Sequence, residues 1–531
     1  MIRKQFGLAG LARSALVAAG VLAAAATAPA AAETTLKVVV HADLKILDPV
    51  WTTAFISNRH GLLIYDTLFG LNSKLEPKPQ MVDTYTVSDD KLVYTFTLRP
   101  GLKFHDGKPV TSADVIASWQ RWGKRDPMGQ RLGSFTSSLE AVDDKTFRLT
   151  LKERYGLVLD TLGKSTGNLF IMPERVAKTD HMQQIKEYVG SGPFIFEQSE
   201  WRPGNKVVYR KNPDYVPRSD ATDAMAGAKI AKVDRVEWLY IPDHNTSLSA
   251  LQSGEIDYFE APPLDFIPIL ERNRRIKVID IEPLGRQGIL RPNFLYPPFN
   301  HPKARQALLY MVKQEDYMRA VVGNPKLYKK FCGAIFLCGS SNETAIGSEP
   351  LATQDFEKAK QLMKEAGYNG EKIVVLQPTD RAQYNAMTMV TIQNLRKAGL
   401  NVDVQAMDWG TVLSRRANKG NPYESGYHLF HTTHGGPNTA NPVSNTWFNS
   451  RCERANPGWA CDMELDKLVE DWSRETDPAK QKALIDKIQA RAYETVPYVP
   501  IGQYTQPVAV RSNIEGVLVT NVPVYWNIEK K

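Results

Sequence analysis

The chain reads as an α/β protein of two or three domains, and three observations carry that prediction. Its 531 residues exceed what a single hydrophobic core supports. Its first half is rich in strand patterns, whereas beyond about residue 275 strands and helices alternate in βαβ order. Its last segment, 496–531, returns to strand and loop, and so points back to the first half.

The elements follow in order. Thr35–His41 is β-branched and apolar, a strand. Leu92–Leu98 and Thr146–Leu151 alternate apolar with polar, as half-buried strands do. Between them Thr111, with Asp114 three residues on, caps a helix through Trp122. Strand patterns recur from Phe194 through Val207-Val208-Tyr209 to Val236–Ile241. Helices follow over 302–320, 355–366 and 383–398, with Gly367 and Gly399 as stop signals. Strands Lys372–Leu376 and Asn401–Met407 lie between them, and two amphipathic helices cover 463–474 and 478–494.

The ends set the compartment. Arg3, Lys4 and Arg13 precede a small, apolar run from Leu16 to Ala26, and Ala30-Ala31-Ala32 offers an A-x-A cut before Glu33. Those are the parts of a secretory signal peptide. The run is shorter than the ~20 residues a bilayer span needs. The expected product is periplasmic, 499 residues long, with a charge of +5 against +8 for the whole chain. Acids and bases are interspersed, so neither a nucleic-acid tail nor a nucleic-acid partner is expected. The four cysteines form two close pairs, Cys332 with Cys338 and Cys452 with Cys461, which read as disulfides in an exported chain. Each closes a small loop and contributes roughly 2–3 kcal/mol in the loop-entropy picture.

A set of ordered motifs then gives a resemblance. Leu47-Asp48-Pro49 precedes Ile64-Tyr65-Asp66-Thr67-Leu68-Phe69, followed by Tyr94–Asp106 and Gly107–Val115. Gly190-Ser191-Gly192-Pro193-Phe194 and Arg210–Tyr215 come next, then Pro297-Pro298-Phe299, His301–Leu308 and Ala359–Tyr368. Along nearly the full mature length the chain resembles the periplasmic substrate-binding proteins of peptide and nickel ABC transporters, solute-binding family 5. The resemblance implies a two-lobed periplasmic-binding-protein fold with a hinge, a β-rich first lobe carrying an extra subdomain, and an α/β second lobe. The expected boundaries are 33–275 for the first lobe (subdomain about 61–189), 276–495 for the second, and 496–531 for a returning tail. It implies a small-molecule ligand between the lobes, a membrane permease as partner, and a monomer without cofactor or resident metal. The alternatives are a nickel-type metal-chelate carrier, a periplasmic sensor or chaperone, and a secreted hydrolase.

The resemblance also marks site residues. Trp51, Thr53 and Phe55 stand in a segment matching a cleft-facing loop, where rigid rings offer contact area at low entropic cost. Arg381 and Trp409 are the second-lobe counterparts, Thr433 and His434 polar lining, and Tyr504 sits near the return crossing. Trp119 and Trp122 read as helix packing. His428, His431 and His434 could bind a metal complex, although no Glu stands beside them as in H-E-x-x-H. Gly163-Lys164-Ser165-Thr166-Gly167 lacks the upstream Gly of a phosphate loop, since that position is Val158, and no strand leads into it as a nucleophile elbow requires. It reads as a solvent-facing turn, and the chain as no enzyme. Finally, 428–445 contains no Asp or Glu, and Asn441-Pro442 replaces the family's usual Asp-Pro. A ligand's free ammonium would find no counter-ion there.

Overall fold

The computed structural model describes residues 33–531, so the expected signal peptide, 1–32, lies outside the described residues. Two large sheets organise the molecule. The first runs, across its width, Ile276–Ile279, Val508–Arg511, Tyr258–Phe259, Thr35–Val39, Arg235–Leu239, Lys206–Lys211 and Phe194–Phe196. Its central strand Thr35–Val39 is flanked by parallel neighbours on both sides. The second sheet runs Tyr328–Lys329, Val499–Tyr504, Arg286–Pro292, Leu429–Gly435, Ile373–Pro378 and Val402–Met407. Here Ile373–Pro378 and Val402–Met407 pair in parallel through the crossover helix Ala382–Lys397, the expected βαβ unit. A four-stranded antiparallel sheet spanning Val82 to Leu151 forms the core of the subdomain. The Thr111–Asp114 capping box starts its helix Ser112–Gly123, and both Trp119 and Trp122 are buried.

The chain passes between the two large sheets at 280–285 and at 505–507. Those crossings lie beyond the expected 275/276 and 495/496 boundaries. Ile276–Ile279 still pairs in the first sheet, and Val499–Tyr504 still pairs in the second. An apolar strand pattern shows that a strand is buried but carries no information about which sheet takes it. The helix expected over 302–320 is two, Pro302–Met311 and Gln314–Val321, and a helix at Phe55–Ile64 was not foreseen. That helix is buried on all sides beyond Phe55, so it lacks the apolar stripe that announces a surface helix.

Several of the sequence motifs converge on buried charges. Asp66 accepts bonds from Lys229 Nζ at 2.7 Å and the Tyr215 hydroxyl at 2.8 Å, with Arg99 at 3.8 Å. Burial would raise its pKa, but Lys229 and Arg99 bring it below the usual carboxylate value. Lys229 also lies 5.0 Å from the ring of Trp526, which ties the tail to the subdomain entry. Asp48 holds Arg121 with two bonds, at 3.2 and 2.7 Å, and accepts the amides of Val50, Trp51 and Ile185. In the second lobe Arg291 pairs with no acid among the described residues; its guanidinium donates to the carbonyls of Trp447, Asn456, Pro457 and Pro497. Burial lowers its pKa to about 10, still well above neutrality. Gly458, at φ +102, permits the approach: a Cβ there would stand 2.3 Å from Arg291 Nε.

The four cysteines pair as the sequence suggests, Cys332 with Cys338 and Cys452 with Cys461, and no cysteine among the described residues is free. Both bridges stay within the second lobe and close loops of 6 and 9 residues. The loop around Cys338 is also held by Gln503, whose side chain accepts the Cys338 amide at 3.0 Å and donates to its carbonyl at 2.9 Å. At the other bridge Arg451 and Cys461 form an antiparallel pair, so backbone bonds and the disulfide close the same loop.

The histidine cluster is dispersed by its strand. His431 is fully buried and bonds the hydroxyls of Thr388 and Thr391, while His428 receives the Val374 amide and bonds the Pro297 carbonyl. Three-residue spacing in a strand points successive side chains to opposite faces, so His434 parts from His431. Among the described residues no group of three or more His, Cys, Asp or Glu is placed to hold a metal. The metal-binding alternative for these histidines is thereby corrected: two of the three are core residues with their ring nitrogens used.

This packing sets two expectations. Asp66→Asn should destabilise the protein by about 3–5 kcal/mol in denaturant titrations, because Lys229 is left buried and uncompensated. Burial lowers the pKa of His431 to about 3 and of His428 to about 4. The unfolded chain then binds more protons than the native one below about pH 6.5, so stability falls as pH drops from there towards about 4. Each histidine contributes a slope of up to about 1.4 kcal/mol per pH unit, readable from unfolding midpoints across that window.

Candidate ligand-binding cleft

Parallel strands that end at one sheet edge place their following residues side by side. Thr35–Val39 and Tyr258–Phe259 do this for His41 and Glu260. Glu260 accepts the His41 amide at 2.7 Å and pairs with Arg59 from the buried helix. Arg59 also donates to His41 Nδ1 at 2.6 Å. Burial first, then the charges of Arg59, Arg286 and Arg381, hold the His41 pKa well below its ordinary value. Arg286 and Arg381 belong to the second lobe, so their effect on His41 marks the place where the lobes face each other.

On that second-lobe face, Arg286 binds Glu282 through two bonds, at 2.9 and 2.7 Å. Burial works against its charge, but Glu282 outweighs it and raises the pKa. Gly285, at φ +61, lets the two crossings touch; a Cβ there would stand 2.4 Å from the Tyr504 carbonyl. The first turn of Ala382–Lys397 gathers the remaining groups. The Tyr384 hydroxyl bonds Thr433 Oγ1 at 3.1 Å, and its ring lies 4.5 Å from that of Trp409. The buried Tyr504 donates to Gln383 Oε1 at 3.3 Å. Arg381 flanks this turn, exposed and without an ion pair or side-chain hydrogen bond among the described residues.

Two further acids flank this wall, and both are engaged. Asp380 accepts the Trp409 amide at 2.7 Å. Asp408 caps the helix Trp409–Arg416, accepting from the Thr411 amide at 3.0 Å and from its hydroxyl. Those bonds lower the Asp408 pKa, keeping it an acceptor for its own helix.

The lobes also meet elsewhere. Asn438 Nδ2 donates to Thr166 Oγ1 at 2.5 Å. Away from the cleft, the Gly156 amide bonds the Ser473 carbonyl at 2.8 Å, and Arg474 reaches Glu153 at 3.1 and 3.2 Å. Ser165 is buried, not in a solvent-facing turn, because Trp122 bonds the Gly167 carbonyl and Lys164 pairs with Asp126. Among the described residues Ser165 Oγ has no hydrogen-bond partner, so none of them is positioned as a base to activate it.

Among the site residues expected from sequence, Arg381, Trp409, Thr433 and Tyr504 gather round Gln383 and Tyr384. His434 follows Thr433 and is held neutral, burial lowering its pKa to about 4 against a bond to Asn445. Trp51, Thr53 and Phe55 lie on the first lobe. The Trp51 indole donates to the Met182 carbonyl at 3.1 Å, Thr53 is exposed, and Phe55 opens a helix with 51% of its surface exposed. The structure brings none of these three against the second-lobe group. Sequence reasoning missed His41, Arg59, Glu260, Glu282, Arg286 and Tyr384. None of them carried a local signal: even Arg59 is flanked by the polar Ser57, Asn58 and His60.

Comparison with known proteins accords with this architecture. The family described as bacterial extracellular solute-binding proteins, family 5 Middle, matches residues 76–456. A probable peptide ABC transporter periplasmic-binding protein of Sinorhizobium fredii is 39% identical over 538 residues, spanning 99% of both chains. The glutathione-binding protein GsiB of Escherichia coli strain K12 is 28% identical, spanning 92% of this chain and 93% of its own. In fold, the chain is similar to the binding protein AgaA from Agrobacterium tumefaciens R10 in complex with agropinic acid. That likeness has a TM-score of 0.77 at 24% identity and covers 94% and 99% of the two chains. Among the described residues no helix is long and apolar enough to cross a membrane. This chain belongs to the family 5 extracellular solute-binding proteins.

Proposed function

We propose that the protein captures a small organic solute between its lobes in the periplasm and hands it, as a monomer and without catalysis, to the permease of an ABC importer. Export with cleavage after Ala32 belongs to the same proposal. The supporting observation is the wall opposite the first lobe. It presents Arg381, Tyr384, Trp409 and Thr433, its segment 428–445 has no acid, and Asp380 and Asp408 serve backbone amides. Such a wall holds a ligand through donors and rings, while its carboxylates are engaged by backbone amides and by Arg286. The relatives described as binding glutathione and the fold neighbour holding agropinic acid support a small organic ligand.

Calorimetry against di- to pentapeptides and glutathione, each with and without N-acetylation, tests this. Acetylation should leave Kd within about threefold, well under the penalty for an unpaired buried charge. A requirement for the free amine would overturn it. Binding should also compact the protein in solution scattering, because a ligand shifts the hinge only through interactions it makes in the closed form alone.

The contact between Arg474 and Glu153 gives a separate check. It touches no cleft residue, yet it forms only while the lobes are together. Arg474→Ala should therefore weaken ligand binding by about two- to threefold, the scale of an exposed ion pair, with the loss erased at high salt. Binding unaffected at low salt would show that this contact does not favour closure.

A further inference from the structure

Two leucines hold their backbones in the left-handed region, Leu75 at φ +63 and Leu337 at φ +71. A bulky side chain is disfavoured there because its Cβ crowds the carbonyl oxygen, and glycine or asparagine takes such a position more readily. Strain of this kind persists only where the surroundings enforce it, and it gathers at clamps and switch regions. Here the two strained leucines come from different lobes and meet in one small apolar group. Leu337 packs with Leu284 of the hinge crossing and with Ala440, apart from the main core, and Leu75 of the first lobe packs against all of this.

Each half of the contact is held in place before the lobes meet. Leu75 lies in the turn between the paired strands Phe69–Leu71 and Pro77–Pro79. Asn72 Oδ1 accepts the amides of Lys74 at 3.0 Å and Glu76 at 2.8 Å, and Asp223 accepts that of Ser73 at 2.9 Å. On the other side, Leu337 is presented by the loop that Cys332 and Cys338 close. Side chains from distant elements satisfy the buried backbone of that loop. Gln314 bonds Cys332, Gln287 the Ala334 carbonyl and Gln489 the Ile335 amide. Gln503, which holds Cys338, also donates to the Leu284 carbonyl at 2.8 Å. Asn342 donates to the Ala440 carbonyl at 2.7 Å. Leu284, Leu337 and Ala440 thus form one rigid socket, and only Leu75 arrives from the first lobe.

The contact continues a seam already described. The Thr166–Asn438 bond lies two residues from Ala440, and Thr166 follows the helix Val158–Gly163 that supports the Leu75 turn. A Cβ on Gly163 would stand 2.9 Å from Pro77. One first-lobe surface therefore meets one second-lobe segment, 436–440, with the apolar contact at the hinge end. Rotation about 280–285 carries Leu337 and Ala440 away together and returns their apolar surface to water.

We infer that Leu75 and Leu337 are positioning residues for lobe closure: they form an apolar latch beside the hinge, and the Cys332–Cys338 bridge fixes its second-lobe half. The latch favours the closed arrangement before any solute arrives. This rests on the hinge closure proposed above and adds a determinant of affinity that touches no ligand.

Leu75→Asn is the discriminating variant, since asparagine accepts the left-handed backbone but does not fill an apolar socket. Its unfolding midpoint should match or exceed that of the native protein. Without ligand it should nevertheless be more expanded in solution scattering, with amide exchange at 280–285 and 436–440 at least about fivefold faster. Unlike the Arg474 effect, this one should persist at high salt. Leu75→Gly should behave in the same way and keeps the result readable should asparagine bond across the seam. Cys332→Ala/Cys338→Ala should open the protein in the same sense and add nothing further when combined with Leu75→Asn. Unchanged scattering and exchange in both Leu75 variants overturn the inference, as do faster exchange confined to 71–77 and additive opening in the combined variant. In calorimetry with glutathione, Leu75→Asn should raise Kd about three- to tenfold, because the apparent affinity falls with the closed fraction. An unaltered Kd also overturns it. Opening of the Leu75 variants in a protein that binds neither glutathione nor peptides would sustain the latch and count against the uptake role instead.

Discussion

Two short segments, 280–285 and 505–507, carry the covalent connection between the sheets, and they run against each other. Gly285 sits so close to the Tyr504 carbonyl that no side chain fits between them. Glu282 and Arg286 bracket the first crossing with a paired charge, and Gln506 anchors the second to the Pro262 carbonyl. Each sheet is therefore built and buried on its own, while the relative position of the two depends on a few φ/ψ angles at this double strand. A hinge needs that combination: rigid bodies and a small number of residues that absorb the rotation.

The remaining architecture shows how buried cations are accommodated. In the first lobe they meet acids: Arg121 with Asp48, Lys229 with Asp66, Arg59 with Glu260. Asp48 binds the amides at the start of the Trp51 loop, and Asp66 ties a strand entry to the tail, so these pairs fix loops that local propensity would leave free. In the second lobe Arg291 is satisfied by carbonyls, which lets three separate loop segments converge on one side chain without importing an acid.

Closure joins these two themes. The cleft groups contributed by the first lobe, His41 with Arg59 and Glu260, are largely satisfied within their own lobe. The second-lobe wall keeps the uncommitted donors. A ligand bound to that wall adds contacts to the first lobe when the hinge closes, and Thr166–Asn438 and Glu153–Arg474 are protein contacts between the lobes. The free energy of closure is thus shared between solute and protein, which sets how strongly ligand shifts the population.

Much of the fold was legible in the chain. The βαβ unit, the capped helix at Thr111 and the pairing of Cys332 with Cys338 and of Cys452 with Cys461 each rest on short-range patterns, where periodicity, caps and spacing act. Order among the motifs identified the family, and the missing acid in 428–445 could be read directly. What the tertiary structure alone decided was which sheet received Ile276–Ile279 and Val499–Tyr504, because a strand's apolarity is the same in either. It also decided that His428 and His431 are core while Ser165 is buried, since hydrogen-bond partners such as Thr388, Thr391 and Pro297 come from distant segments. The charge balance of the cleft belongs to the same class. Arg381 stands out only once Asp380 and Asp408 are seen bonding the first-turn amides of the helix Trp409–Arg416, and that competition among acceptors exists in three dimensions, not along the chain.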